Sequence, residues 1–272
     1  YGNARVAAME TAHEAGAPLD LTARDDPAAL AAATGGRLLP TGTVRLPGAP
    51  RVSTLPGYDS GTFWVQDAAA ALPARLLGVR AGERVLDLCA APGGKTLQLA
   101  AAGAAVTALD RSDQRLDRLR ENLARTGLAA RVVAADALDW APDGHFDAIL
   151  LDAPCSATGT IRRHPDLPLV RQPGDLPALT GLQAALVDRA ATWLAPGGRL
   201  VYATCSLLPT EGEAQLDGAA ARRALRPDPA ALQHPWIAPD WAAGPGRLRL
   251  TPEMWAEEGG LDGFFIAALR RA

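Results

Sequence analysis

Short apolar runs and helical repeats alternate along most of this chain. From residue 65 onward, each apolar run is followed by a stretch in which apolar positions recur three or four residues apart. In one such stretch, Leu116, Leu119 and Leu123 share a helical face and Gly127 follows as a terminator. The predicted strands are 84–88, 105–109, 131–135, 146–151, 198–203, 247–250 and 263–269, and the predicted helices are 67–77, 96–102, 112–126, 176–194 and 210–222.

The order of these elements predicts the fold class. Regular alternation of strand and helix with short connections favours a doubly wound, Rossmann-like α/β fold built on a parallel sheet. The last two strands are expected to edge that sheet in antiparallel fashion. Residues 59–272 are predicted to form this main domain.

The first 58 residues have a different, turn-rich pattern. Asp26 followed by Pro27 is a helix start, because Asp is a common N-cap and proline suits the first helical position. Glycines and prolines are frequent between residues 35 and 61. We therefore predict a small N-terminal α/β subdomain over residues 1–58. Its expected helices are 3–15 and 27–33, and its expected strands are 19–23, 43–46 and 51–54.

Composition and charge narrow the possible classes of protein. The hydrophobic content of 48% is ample for a core, and the net charge of −3 gives no global basic signature, although a local basic groove remains compatible with it. No apolar run reaches the length of about 18 residues that a membrane span needs. The three cysteines form no C-x-x-C pair and no zinc-finger spacing with histidine. We expect a cytoplasmic, monomeric protein without membrane, metal or disulfide framework.

One segment, residues 84–96, reads R-V-L-D-L-C-A-A-P-G-G-K-T and predicts a ligand site. A buried strand leads into a turn of small residues and then into a helix N-terminus, where free backbone N–H groups face a ligand. Gly93 and Gly94 allow close approach of the backbone. Lys95, the only lysine of the chain, lies on the same turn.

Two ligands are compatible with this turn. The first interpretation is a P-loop for a nucleotide phosphate, because the segment G-G-K-T matches the end of a P-loop motif and strand 146–151 followed by Asp152 resembles a magnesium-binding strand. However, the first glycine of a P-loop would fall at Cys89. The other interpretation is a nucleoside cofactor, whose ribose hydroxyls bind an acidic residue at the end of the next strand. Asp110 ends that strand, and Asp136 follows the third one, near the expected adenine. Three acidic strand ends beside one glycine turn favour the nucleoside cofactor.

Two cysteines at this edge of the sheet indicate which reaction could take place there. Cys155 follows strand 146–151 and Cys205 follows strand 198–203, whereas Cys89 is expected to be a packing residue. A thiolate that adds to carbon 6 of a pyrimidine makes carbon 5 nucleophilic, so that carbon 5 can attack a methyl sulfonium. Asp152 is the nearest candidate to stabilise the N3/N4 edge of the ring. Position alone leaves Cys155 and Cys205 interchangeable as the nucleophile.

Several motifs give the chain a specific resemblance. The segments D-L-C-A-A-P-G-G-K-T (87–96), L-L-D-A-P-C-S-A-T-G (150–159) and Y-A-T-C-S (202–206) together resemble the RNA cytosine-5 methyltransferases. The segments I-R-R-H-P-D (161–166) and D-G-F-F-I-A-A-L (262–269) resemble the Sun/Fmu group of that family, which acts on bacterial small-subunit ribosomal RNA. The resemblance is strongest from about residue 56 to residue 208.

The resemblance implies a fold, a cofactor and site residues. It implies an S-adenosylmethionine-dependent methyltransferase fold, with Cys205 as the nucleophile and Cys155 in product release. Asp110, Asp136 and Asp152 would complete the cofactor site. The residues that the family's turn uses to bind S-adenosylmethionine correspond here to Cys89, Ala90, Ala91, Pro92, Gly93, Gly94 and Lys95. Full-length members carry a helical RNA-binding domain at the N-terminus, which residues 1–58 do not resemble, so the strength of RNA binding by this chain alone stays open.

The expected substrate is a cytosine of small-subunit ribosomal RNA. Arg162 and Arg163 lie just past the Cys155 loop, where they could contact phosphates beside a flipped base. The alternatives are a transfer RNA or another RNA as substrate, a P-loop-like nucleotidase, and a non-catalytic RNA-binding scaffold.

Overall fold

The computed structural model describes residues 1–272, with the exception of the side chains of residues 219–223. The chain forms two β-sheets with helices packed around them. The helices are α1 (Asn3–Glu14), α2 (Pro27–Thr34), α3 (Leu72–Leu77), α4 (Gly94–Ala101), α5 (Asp113–Thr126), α6 (Leu167–Val170), α7 (Leu176–Trp193) and α8 (Glu213–Arg223). The strands are β1 (Leu19–Ala23), β2 (Arg37–Leu38), β3 (Thr43–Leu46), β4 (Phe63–Val65), β5 (Arg84–Leu88), β6 (Ala105–Asp110), β7 (Arg131–Ala134), β8 (Phe146–Asp152), β9 (Leu194–Thr204), β10 (Leu225–Pro227), β11 (Arg247–Leu250) and β12 (Phe264–Arg271).

The larger sheet confirms the predicted doubly wound α/β class. Its strand order is β10-β12-β9-β8-β5-β6-β7, and β11 pairs with β12. Strands β5 to β9 are parallel, whereas β10, β11 and β12 pair in antiparallel fashion at one edge. The chain leaves β5 toward β6 on one side and later returns to β8 on the other. Ligands bind at such a reversal of strand order, outside the carboxyl ends of the strands.

Both faces of the larger sheet are covered by apolar side chains, which is why its central strands are continuous apolar runs. One face packs against α3 and α4, with Leu72, Leu76 and Leu99 in its core. The other face packs against α7, through Leu186 and Val187. This double burial holds the loops at the carboxyl ends of β5, β6, β8 and β9 on one edge.

The smaller sheet, in the order β2-β3-β1-β4, is antiparallel and has its own apolar cluster. Two of its short strands, β2 and β4, were not predicted, and β4 lies beyond residue 58. The predicted strand 51–54 is wrong: Val52–Thr54 is a 3₁₀ turn, held by a hydrogen bond from the Thr54 amide to the Arg51 carbonyl (3.0 Å). The division of the chain at residue 58 stays a prediction.

A buried ion pair joins the two sheets. Asp20 on β1 accepts two hydrogen bonds from Arg45 on β3, both at 2.7 Å. Arg45 also donates to the carbonyls of Glu258 and Gly260, which precede β12. One oxygen of Asp20 accepts from the amide of Ala68. This pair, almost wholly shielded from water, therefore links the smaller sheet to the segment that precedes β12.

A second buried network joins Asp67 to Asp262, which lie 195 residues apart in the chain. Arg162 donates to Asp67 and to Asp262, each at 2.6 Å, and Arg163 contacts the same two carboxylates. Asp67 also accepts from the amide of Ala69, so that it begins a turn, and the helix that was predicted to start there starts at Leu72. The side chain of Arg162 has 0% exposure. The prediction that Arg162 contacts RNA is therefore wrong, because its guanidinium is enclosed and paired.

Replacement of Arg162 tests how much this network contributes to the free energy of unfolding. Arg162→Met leaves two buried carboxylates with one partner fewer, so we expect the free energy of unfolding to fall by about 3 kcal/mol. The control is Arg118→Met, which removes an exposed pair with Glu121 on α5 and is expected to cost less than about 1 kcal/mol. Urea denaturation of both variants measures the difference, and equal losses would contradict this account.

Candidate active site

The turn after β5 is held by β6 and α5. The amides of Cys89 and Ala90 both donate to the carbonyl of Leu109, at 2.9 and 3.0 Å. Gly93 has a φ of 109°, and a Cβ there would lie 2.4 Å from Leu119 Cδ1. This glycine is thus required by close packing against α5, in addition to any approach of a ligand. Helix α4 begins directly after it, at Gly94.

A cavity of about 290 Å³ lies beside this turn, at the ends of β6 and β7. Asp110 lines it and accepts hydrogen bonds from the amides of Ala91 (3.1 Å) and Ser112 (2.9 Å). Asp136 lines it as well and accepts from the amide of Leu138. The rest of the wall is apolar and includes Leu109, Pro154, Leu182 and Leu186. Two predicted carboxylates therefore face one pocket that could hold a flat ring.

A larger cavity of about 690 Å³ contains the predicted Lys95 and Asp152. Lys95 Nζ lies 2.7 Å from Asp152 Oδ2. Burial disfavours the charge of Lys95, but the Asp152 carboxylate outweighs this effect and raises the pKa of the lysine. Cys89 lines both cavities, so the two cavities adjoin at the start of the turn after β5. Arg163, which has a quarter of its side chain exposed, also lines the larger cavity.

Asp87 is a site residue that sequence reasoning missed. It lies within β5, has no solvent exposure and lines the larger cavity. Thr96 donates to its Oδ2, whereas its Oδ1 has no hydrogen-bond partner in the structure. Burial raises the pKa of Asp87 to about 7. The available signal was a single acidic residue inside an otherwise apolar strand.

The two predicted cysteines lie side by side. Strands β8 and β9 are parallel neighbours, with Asp152 opposite Ala203, so the turns that follow the two strands begin side by side at the same edge of the sheet. The sulfurs of Cys155 and Cys205 are 3.5 Å apart. The hydrogen bond to Cys205 and burial raise the pKa of Cys155 well above its ordinary value. Cys205 is partly exposed, and a thiolate there would interact favourably with the charge of Lys95.

The structure thus brings most of the predicted site together on one edge. Asp110 and Asp136 line the smaller cavity, whereas most of the turn after β5, including Ala90 to Pro92 and Lys95, lines the larger cavity together with Asp152. Glu211, a second residue that was missed, binds both cysteine turns. Among the residues that the structure describes, no group of three or more His, Cys, Asp or Glu side chains could hold a metal ion. In the same part of the chain, every helix is too short or too polar to cross a membrane.

A profile of the family described as "16S rRNA methyltransferase RsmB/F" matches residues 74–270. The chain belongs to this family. The resemblance inferred from the sequence motifs is thereby confirmed. A P-loop nucleotidase is no longer supported, in agreement with Cys89 at the place of the first P-loop glycine.

Individual relatives agree with the family. The chain is 47% identical over 231 residues to "Ribosomal RNA small subunit methyltransferase B" of Salmonella arizonae, a match that covers 83% of this chain and 51% of the relative. It therefore spans about half the length of that protein. The crystal structure of a methyltransferase homolog protein from Pyrococcus horikoshii superimposes with a TM-score of 0.82 at 28% identity and covers 98% of this chain and 91% of that one. NSun6 from the same organism, solved with SFG, gives 0.71 at 31% identity, over 82% and 56% of the two chains.

The thiol environments predict an order of alkylation by iodoacetamide. Cys205 is expected to react at least about tenfold faster than Cys155 and Cys89, because only a thiolate reacts. The hydrogen bond to Cys205, together with burial, raises the pKa of Cys155, and burial raises the pKa of Cys89. Peptide mass spectrometry at short times measures the three rates, and protein unfolded in urea, in which all three should react alike, is the control. Faster modification of Cys155 than of Cys205 would contradict the geometry.

Proposed function

We propose that this chain is the catalytic part of an S-adenosylmethionine-dependent enzyme that methylates carbon 5 of a cytosine in 16S ribosomal RNA. The single observation that carries the proposal is the pair of thiols 3.5 Å apart, at the same edge of the sheet as the cofactor turn. The name of the Salmonella relative, a ribosomal RNA small subunit methyltransferase, supports the choice of small-subunit RNA. We also propose a cytoplasmic monomer, as the sequence predicted.

The residues at the cofactor turn fit S-adenosylmethionine. Asp110 can accept hydrogen bonds from ribose hydroxyls, and Asp136 lies where an adenine amino group could donate. The unpartnered Oδ1 of Asp87 is a buried acceptor suited to an ammonium group. NSun6 was solved with SFG, an analogue of this cofactor. When bound, S-adenosylmethionine supplies an electrophilic methyl group.

The proposed steps use the two thiols together with Lys95 and Asp152, which line the larger cavity. Cys205, partly exposed and near Lys95, attacks carbon 6 of the cytosine, so that a sulfur–carbon bond forms and electron density moves to carbon 5. Asp152, fixed by Lys95, accepts hydrogen bonds at the N3/N4 edge of the ring and steadies it. Once carbon 5 carries the methyl group, a base must accept its proton, so that the electron pair left behind forms the C5–C6 double bond and Cys205 leaves as a thiolate. Cys155, 3.5 Å away, assists that release.

Substitution of the two cysteines tests the assigned roles. Cys205→Ala should reduce methylation of undermethylated small-subunit RNA to the background level, because no bond to carbon 6 can form. Cys155→Ala should leave a covalent RNA–protein adduct, visible as a slowly migrating band on a denaturing gel. An adduct with Cys205→Ala and none with Cys155→Ala would reverse the two roles. Mapping of the modified base distinguishes ribosomal RNA from the alternative, a transfer RNA or another RNA.

Asp110 tests the cofactor site separately from the reaction. Asp110→Ala should weaken binding of S-adenosylmethionine by about tenfold or more, the usual loss for a hydrogen bond to a charged group. Asp113→Ala is the matched control, because Asp113 lies three residues later on α5, is exposed and pairs with Arg120. Isothermal titration calorimetry measures both, and an unchanged Kd for Asp110→Ala would remove this residue from the site.

A further inference from the structure

The carboxylate of Glu211 lies fully buried behind the two cysteines. Its Oε1 accepts a hydrogen bond from the amide of Ser156 at 2.9 Å. Its Oε2 accepts from the hydroxyls of Ser156 and Ser206, both at 2.5 Å. Because Ser156 follows Cys155 and Ser206 follows Cys205, one side chain binds both cysteine turns.

Glu211 is itself held in place from two sides. Gln183 of α7 donates to Glu211 Oε1 at 3.0 Å and to the carbonyl of Pro154 at 2.9 Å. The hydroxyl of Tyr202, on β9, donates to the carbonyl of Glu211 at 2.7 Å. The carboxylate therefore has little freedom to follow a displaced turn, and the turns must conform to it.

The type of residue at this position is unexpected on grounds of stability alone. Among the described side chains, no Lys or Arg forms an ion pair with Glu211, and its partners are neutral donors. A buried carboxylate without a counter-ion is costly unless hydrogen bonds replace its lost water. Four donors converge on its two oxygens, and three of them belong to the residues next to the cysteines. This arrangement connects the carboxylate to the geometry of the thiols.

We propose that Glu211 is a positioning residue that sets the distance and orientation between the thiols of Cys205 and Cys155. The proposal rests on the proposed function, in which both thiols act on one cytosine ring. Glu211 touches neither cavity and contacts no reacting atom. Its effect should therefore fall on the chemical step and leave substrate binding unchanged.

The first test is Glu211→Gln, which keeps the shape of the side chain but cannot accept at both ends. We expect kcat for RNA methylation to fall by about a hundredfold, the effect of a misplaced reacting group, with KM for RNA and Kd for S-adenosylmethionine unchanged. Asp217→Asn, an exposed carboxylate on α8 that pairs with Arg247, is the matched control and should retain kcat. Unchanged kcat in Glu211→Gln would overturn the proposal, and so would a loss confined to KM.

A double-mutant cycle separates positioning from general loss of stability. Ser206→Ala removes one donor from the turn of Cys205 and should lower kcat in the same way. In the variant that carries both changes, the two losses should be less than additive, because both break the same contact. Full additivity would overturn the proposal. If Glu211→Gln does not fold, Ser156→Ala and Ser206→Ala, with their double variant, carry the test with the same expected results.

A measurement without RNA tests the positioning role of Glu211 separately from the proposed function. Oxidised glutathione can join the two cysteines: Cys205 displaces one glutathione thiol, and Cys155 then displaces the other, which leaves a protein disulfide and two reduced glutathione molecules. Because Glu211 holds the two thiols at a suitable distance and orientation, the disulfide should form about tenfold faster in the wild type than in Glu211→Gln. Equal cross-linking rates would overturn the role of Glu211. A wild type that cross-links quickly but methylates no RNA would refute the proposed function and leave the positioning role standing.

Discussion

The parallel pairing of β8 with β9 is the constraint on which the site depends. Because the two strands run in the same direction and in fixed register, the turns that leave them carry Cys155 and Cys205 to the same height. The neighbouring pair, β5 and β6, brings the cofactor turn and Asp110 to that edge by the same rule. The carboxyl ends of four strands thus bring two thiols, Asp110 and the turn after β5 to one edge of the sheet.

Buried ion pairs hold in place several segments that strand pairing in the larger sheet does not position. The pair of Asp20 and Arg45 fastens the small sheet to the segment before β12. Arg162 holds Asp67 and Asp262 together across the main domain. Such pairs are costly to form in the interior and more costly to break, so they specify one arrangement of these segments. The larger cavity lies among them, since Asp67, Arg163 and Asp262 belong to its wall.

The sequence was informative where the chain obeys local rules. Strand β5 was predicted with its observed bounds, because a parallel strand buried on both faces is a continuous apolar run. The positions of Asp110, Asp136 and Asp152 followed from the strand ends. The two cysteines followed from strand ends as well, but their different roles came only from the family resemblance.

Arg162 and Glu211 were misjudged or missed because their deciding partners are far away in the chain. Arg162 could not be recognised as internal, since Asp67 and Asp262 are 95 and 100 residues from it. Glu211 lies 55 residues from Ser156. Segment 51–54 has β-branched residues at Val52 and Thr54, yet it lies between two prolines and closes on itself. Local periodicity carries no information on distant partners such as those of Arg162 and Glu211.

The network around Arg162 also affects the electrostatic field at the rim of the larger cavity. Two guanidinium groups face two carboxylates there, so their charges cancel at a distance even though Arg163 remains partly open to solvent. A neutral cluster adds little to the long-range field that draws polyanions toward a protein. In the proposed function, this part of the cavity rim would therefore add little to the electrostatic attraction of an RNA strand.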